Sequence, residues 1–111
     1  MTLSAESCIP CRGGIPPMER EAAENLLPQA KAWRLNDTAT KISRGYDFDN
    51  FVDALAFTNK VGALAEEQGH HPDICLGWGY CEVTFYSHKI NGLHQNDFIM
   101  AAKTNEIYQA K

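Results

Sequence analysis

The sequence has no run of lysine or arginine residues, and its net charge is −4. Because nucleic-acid-binding proteins usually carry a basic patch that contacts the phosphates, direct nucleic-acid binding is disfavoured. Its hydrophobic stretches are far shorter than the roughly 20 residues that cross a membrane. The start, MTLSAESCIPCRGG, lacks the basic and apolar segments of a secretory signal, so we expect a cytoplasmic protein without membrane contact.

Cysteine is scarce, with four residues in 111. In a reducing compartment these are expected to be free thiols rather than a disulfide framework. Cys8 and Cys11 form a C-x-x-C, which could be half of a metal site or a redox pair, but no second such pair follows. With Gly13 and Gly14 nearby, we predict a flexible N-terminal arm at 1–15 that is dispensable for activity.

Residues 16–111 are predicted to form one domain with a single core. The segment PPMEREAAENLLP is typical of a short helix, with Pro17 in its first turn and Pro28 at its end. Residues 32–36 and 41–48 alternate apolar and polar positions around a polar connector, which predicts a β-hairpin. The segment HQNDFIMAAKTNEIYQA has helical spacing at Phe98, Ile99, Ala102 and Ile107.

The longest predicted helix lies in DFDNFVDALAFTNKVGALAEEQG. Asp49 is the expected N-cap, and Gly69 is expected to end the helix in a left-handed conformation. Two neighbouring apolar stripes run along it, one with Phe51 and Leu55 and the other with Ala54, Phe57, Val61 and Leu64. This arc is wider than one sheet face requires, so part of it is expected to pack against another subunit.

Two strands are predicted in DICLGWGYCEVTFYSH, joined by a turn at Gly77–Gly79. Cys81, Val83 and Phe85 alternate with polar residues, so one face of the strand is apolar. The order α-β-β-α-β-β-α predicts an α+β fold: a four-stranded antiparallel sheet with three helices packed on one face.

All four histidines lie within 25 residues, at His70, His71, His88 and His94. A hairpin brings its ends together, so His88 is expected near Pro72 and hence near His70 and His71. Pro72 restricts the backbone of His71 and fixes the direction of this corner. Imidazoles can both accept and donate protons near neutral pH, so the cluster is a candidate for general acid–base chemistry.

Two alternatives remain for the histidines. The pair His70–His71 could simply complement the negative end of the helix dipole. A metal site is disfavoured, because adjacent side chains point apart and no cysteine or carboxylate set has standard ligand spacing.

Several separated motifs resemble the pterin-4a-carbinolamine dehydratase family, in its microbial form. They are E-x-x-x-H-H-P at 66–72, an aromatic residue at Trp78, TFYSH ending in His88, and GLHQND ending in Asp97, together with AWRL, the long helix and the arm CIPCRGGIPP. The likeness covers nearly the whole chain. It implies dehydration of 4a-hydroxytetrahydrobiopterin to the quinonoid dihydropterin, which recycles the cofactor, without a metal or cofactor.

The resemblance also implies site residues. It places catalytic histidines at His70, His71 and His88, with acid and base roles left open. It places pterin contacts along His70–Pro72 and Ser87–Ile90, which adds Pro72, Ser87, Lys89 and Ile90.

Three further residues are candidates on other grounds. Glu66 lies four residues before His70, a spacing that lets a carboxylate meet an imidazole, or it is a solvated charge. Trp33 could stack on a flat ring or belong to the core. Asp97 is expected to be structural, capping the last helix, in which His94 should be a poor cap without a catalytic role.

The resemblance leaves other functions open. One is action on a molybdopterin-related pterin, and another is a non-enzymatic interaction protein, as in animal relatives that bind a transcription-factor dimer. Family members assemble as dimers or tetramers, so a homodimer or homotetramer is expected.

Overall fold

The computed structural model describes residues 3–9 and 15–110, so Cys11, Gly13 and Gly14 lie outside the described residues. The helices are α1 (Arg20–Leu26), α2 (Phe51–Gln68) and α3 (Gln95–Gln109). The strands are β1 (Arg34–Leu35), β2 (Ile42–Asp47), β3 (Asp73–Gly77) and β4 (Tyr80–Phe85). This order confirms the predicted α+β fold.

The four strands form one antiparallel sheet in the order β1-β2-β4-β3. Trp78 and Gly79 form the turn between β3 and β4, and Gly79 has φ 84°, a value that glycine adopts without steric cost. Cys81, Val83 and Phe85 are fully buried, as their alternation predicted. The sheet therefore buries one face under the helices.

One end of α2 has the predicted capping residue, and the other end does not. Gly69 ends the helix with φ 67°, as predicted, but the N-cap is Asn50 rather than Asp49. Asn50 Oδ1 accepts a hydrogen bond of 2.8 Å from the Asp53 backbone N–H. Asp and Asn cap helices about equally well, so residue type could not choose between these neighbours.

The first helix is shorter than predicted. It begins at Arg20, so Pro17 precedes it instead of lying in its first turn. A separate 3-10 turn follows at Leu27–Gln29, with Pro28 inside it. Because proline fits the start of a 3-10 turn as well as the end of a helical segment, Pro28 did not mark a simple stop.

The centre of the core is tied together by Asn105 on α3. Its Oδ1 accepts hydrogen bonds from Trp33 Nε1 at 2.9 Å, Arg44 Nη1 at 2.7 Å and Tyr46 Oη at 2.6 Å. Its own amide donates to the Lys31 carbonyl at 2.9 Å. This network satisfies polar groups that burial would otherwise penalise, and it joins α3 to β2 and to the segment just before β1.

The two apolar stripes of α2 have different surroundings. Ala54, Phe57 and Val61 are buried against the sheet and α3, whereas Phe51, Val52 and Leu55 are 44%, 72% and 41% exposed. A second, uncovered stripe is thus present on α2 in the single chain.

Within the described residues, no helix is both long and apolar enough to cross a membrane.

The described part of the predicted arm contacts the rest of the molecule. Leu3 is buried in the core, and a 3-10 helix at Leu3–Ala5 packs against α3. This packing differs from the expectation of a free arm for residues 3–9, while the domain boundary at residue 15 stays a prediction.

Candidate functional site

The connection between α2 and β3 holds the two adjacent histidines. Gly69 turns the chain into the left-handed region, and the His70 N–H donates to the Ala65 carbonyl at 3.2 Å. β3 begins at Asp73, so only Gly69 to Pro72 connect the two elements. The short length and Pro72 give the backbone of both histidines a defined path.

His70 is buried and paired with the carboxylate of Asp97. His70 Nε2 lies 2.6 Å from Asp97 Oδ1, and the two residues are 7% and 0% exposed. The His70 ring also stacks on Phe85, with 6.0 Å between centroids and 13° between planes. Since an ionised carboxylate can only accept, the Nε2–H tautomer of His70 is the one that fits.

Asp97 collects two further donors. Ser87 Oγ donates to Asp97 Oδ2 at 2.8 Å, and the His94 backbone N–H donates to the same oxygen at 2.9 Å. The predicted capping role of Asp97 is therefore confirmed, but the carboxylate also joins the end of α2, the segment after β4 and the start of α3. Local sequence pattern could not predict the contact with His70, because 27 residues separate the two partners.

His94 caps α3, contrary to the expectation that it would be a poor cap. Its Nδ1 accepts a hydrogen bond of 3.1 Å from the Asn96 backbone N–H. Together with the Asp97 contact to the His94 N–H, this completes a reciprocal capping box. An imidazole nitrogen with a free lone pair thus does the work usually done by a serine or threonine oxygen.

Glu66 contacts His71 rather than His70. Glu66 Oε2 is hydrogen-bonded to His71 Nε2, and the two side chains are 79% and 57% exposed. The predicted i, i+4 pairing with His70 fails because Gly69 ends the helix, which turns His70 into the core and leaves His71 facing solvent. Because both side chains are exposed, this contact contributes little to stability.

His88 lies on a short 3-10 helix, His88–Ile90, directly after Ser87. Its ring contacts Tyr86 edge to face at 4.1 Å between centroids, and the Lys41 ammonium lies 4.7 Å from the Tyr86 ring centroid. His88 and Lys89 are exposed, whereas Ile90 is buried. Tyr86 was not among the expected site residues, and its place two residues before His88 was the available signal.

Trp33 lies in the core. It is 3% exposed, and its ring packs against Phe85 at 5.7 Å and Tyr46 at 6.3 Å. Phe85 in turn stacks on His70, so Trp33 contacts the histidine only indirectly, through the Phe85 ring. These contacts favour the core interpretation of Trp33 over stacking on a ligand.

A cavity lies elsewhere on the molecule, beside the first half of α2. Its volume is about 400 Å³, and it is lined by Phe48, Asp49, Asp53, Ala56, Phe57, Lys60 and Ile107. Within residues 3–9 and 15–110, no group of three His, Cys, Asp or Glu side chains is arranged to hold a metal ion. Two imidazoles are each held by a carboxylate, His70 by Asp97 and His71 by Glu66.

Comparison with known proteins gives relatives over most of the chain. The family described as Pterin 4 alpha carbinolamine dehydratase matches residues 16–107. A Methylococcus capsulatus protein provisionally named pterin-4-alpha-carbinolamine dehydratase is 58% identical over 96% of this chain and 93% of its own length. A Cupriavidus pinatubonensis protein with the same provisional name is 54% identical, over 95% of this chain and 90% of its own.

Solved structures share the fold. A Brucella melitensis protein described as a transcriptional coactivator/pterin dehydratase has a TM-score of 0.77 and 27% identity, covering 82% of this chain and 97% of that one. The family match extends over the α-β-β-α-β-β-α domain and includes the motif residues from Glu66 to Asp97. The chain belongs to the pterin-4-alpha-carbinolamine dehydratase family.

Proposed function

We propose that the protein dehydrates 4a-hydroxytetrahydrobiopterin to quinonoid dihydrobiopterin by histidine acid–base catalysis. The single observation that carries this proposal is the buried His70–Asp97 pair, with 2.6 Å between Nε2 and Oδ1. A carboxylate that accepts from one imidazole nitrogen fixes the tautomer and stabilises the ring when it becomes protonated. Membership of the family supports a dehydration reaction on a pterin substrate.

The reaction requires two proton movements and no redox step. The C4a–O bond breaks as the hydroxyl receives a proton and leaves as water. A base removes the N5 proton, and the electron pair of the N5–H bond forms the N5=C4a double bond. One acid and one base therefore suffice, and the products carry all atoms of the substrate.

The imidazoles at His70, His71 and His88 are proposed to fill these roles. In His70 and His71 the Nε2 atom is bound to a carboxylate, so Nδ1 is the nitrogen left for the substrate. Exposed His71 and His88 can exchange protons with solvent between turnovers. His70 suits the base role, since Asp97 compensates the positive charge that the ring gains.

The surrounding residues support a pterin contact surface. Pro72, Lys89 and Ile90 flank the histidines in the chain, and Glu66 holds His71 from the helix side. The Ser87 hydroxyl is used by Asp97, so any contact of Ser87 with the pterin is expected through its backbone. The pterin is proposed to be the only ligand, with no cofactor.

The first prediction tests the histidines by stopped-flow turnover of authentic 4a-hydroxytetrahydrobiopterin. Replacing His70, His71 or His88 with alanine should each lower the rate by at least ~10²-fold, the usual contribution of a general acid or base. His94→Ser is the matched control, because a serine retains an N-cap oxygen and His94 has no proposed chemical role.

Two results would contradict the proposal. Unchanged turnover in all three alanine variants would remove histidine catalysis. A wild-type protein without activity on this substrate would instead favour a molybdopterin-related pterin or a purely interacting role.

A further inference from the structure

Residues 3–9, which we call the N-terminal strap, lie across the ends of two helices that carry the histidine site. One end is fixed on α3, where Leu3 is buried and Lys103 Nζ donates to the Ser4 carbonyl at 2.9 Å. Gln95 Nε2 also donates to Glu6 Oε1 at 3.1 Å. The strap is thus held along the length of α3 before it reaches the site.

The other end of the strap is bound by two side chains. The Cys8 N–H donates to Gln68 Oε1 at 2.9 Å. The Ile9 N–H donates to Asn96 Oδ1 at 3.0 Å, and Asn96 Nδ2 donates back to the Ile9 carbonyl at 2.7 Å. Asn96 is 1% exposed, so its amide is committed to the strap backbone and does not bind solvent.

These two side chains are adjacent to the acid–base pair in the chain. Gln68 is the last residue of α2 and precedes His70 by two positions, and Asn96 directly precedes Asp97. The Gln68 and Asn96 amides bind the strap backbone rather than the His70 and Asp97 side chains, so any effect on that pair passes through the backbone. Burial raises the pKa of the Cys8 thiol to about 11, and the nearby charge of Asp97 contributes to the rise.

We propose that the N-terminal strap is a positioning element, in which Gln68 and Asn96 hold the end of α2 and the start of α3 at the spacing that His70 and Asp97 require. This inference rests on the proposed function and reverses the expectation that the first 15 residues are dispensable. A hydrogen bond of 2.6 Å between two helix termini tolerates little relative movement, and small displacements of catalytic groups lower rates steeply.

The test uses three variants of the full-length protein, two at Gln68 and one at Asn96. Gln68→Met keeps the length of the side chain but removes the acceptor for the Cys8 N–H. Gln68→Glu keeps an acceptor oxygen and is the matched control. Asn96→Ala removes both bonds to Ile9 and serves as the second variant.

Two readouts are measured for each variant: steady-state kinetics and the ¹⁵N shifts of the His70 ring, which report its tautomer. In Gln68→Met and Asn96→Ala, kcat should fall by ~10-fold while KM changes less than about twofold, because binding groups are untouched. The His70 nitrogens should also shift toward an averaged tautomer. Gln68→Glu should retain the wild-type kcat and tautomer.

The outcomes separate this inference from the proposed activity. If the wild-type protein does not turn over the pterin, the His70 shifts alone decide: a change in Gln68→Met supports the positioning role. Three results would overturn the inference. The first is an unchanged set of His70 ¹⁵N shifts in Gln68→Met and Asn96→Ala, and the second is a changed tautomer with unchanged kcat in an active enzyme. The third is an equal loss of kcat in Gln68→Glu and Gln68→Met.

Discussion

At the scale of single residues, the geometry of the candidate site depends on the buried carboxylate of Asp97. Asp97 is inaccessible to solvent and accepts from His70 Nε2, Ser87 Oγ and the His94 N–H. A buried charge without partners would be costly, but three donors compensate it and thereby fix three segments relative to each other. The same side chain caps a helix and orients a candidate catalytic ring.

The burial of Cys8, the first cysteine of the C-x-x-C, predicts slow alkylation of its thiol. Burial raises the pKa of Cys8 from 9.0 to about 11, with Lys103 partly opposing the rise. Because only the thiolate is nucleophilic, alkylation of Cys8 by iodoacetamide at pH 8 should be about a hundredfold slower in the folded than in the urea-unfolded protein. Peptide mass spectrometry of the Cys11→Ser variant measures this rate, and exposed Cys75 is the internal control.

The pH dependence of this thiol has a definite sign. A folded-state pKa above the unfolded value favours the neutral form in the fold, so the contribution to stability is complete below pH 9.0 and is lost as the pH rises toward about 11. Equal alkylation rates in folded and unfolded protein at pH 8 would contradict the burial of Cys8 and its raised pKa.

At the scale of elements, helix ends decide where the site residues lie. Gly69 ends α2 in the left-handed region and sends His70 inward and His71 outward. The capping box of α3 holds Asp97 in the first turn, where its carboxylate reaches both the backbone N–H of His94 and the ring of His70. The helices thus contribute to the site through their termini rather than their faces.

The cap of α3 gives the prediction at this scale. His94→Ala removes the acceptor for the Asn96 N–H and should lower the free energy of unfolding by about 1 kcal/mol, the usual cost of losing an N-cap. His94→Ser should recover most of that loss. Urea denaturation of the three proteins measures both, and an alanine variant as stable as the wild type would refute capping by the imidazole.

At the scale of the whole molecule, the uncovered stripe of α2 leaves the single chain with an apolar surface. Phe51, Val52 and Leu55 are exposed, whereas Ala54, Phe57 and Val61 on the neighbouring stripe of α2 are buried. Grouped large apolar side chains at a surface are typical of protein–protein interfaces. We therefore propose that α2 packs against another copy of the chain, as the width of its apolar arc predicted.

Light scattering tests this assembly. The wild-type protein should have twice or four times the chain mass of 12.4 kDa, and Val52→Glu/Leu55→Glu should shift it toward the monomer. The control Ala22→Glu/Asn25→Glu adds the same two charges to exposed positions of α1 and should leave the mass unchanged. A monomeric wild-type protein, or equal dissociation of both variants, would count against α2 as the interface.

Much of the fold was readable from the sequence, because its signals are local. Alternation in residues 81–85, the glycines around Trp78 and the apolar spacing of α2 specify strand, turn and helix without distant partners. Boundaries were less certain: Asp49 and Asn50 are equally suited to cap α2, and only the packing of the helix selects one.

The sequence by itself determined the element order and the sheet, since each depends on neighbours in the chain. The approach of His88 to His70 and His71 stays a prediction. The tertiary structure alone decided that His70 pairs with Asp97, that Glu66 holds His71 and that the first residues pack beside this pair. Such contacts join positions 27 to 99 residues apart or depend on one left-handed glycine. Local pattern carries no record of them, because they exist only when the helix ends and the sheet are packed together.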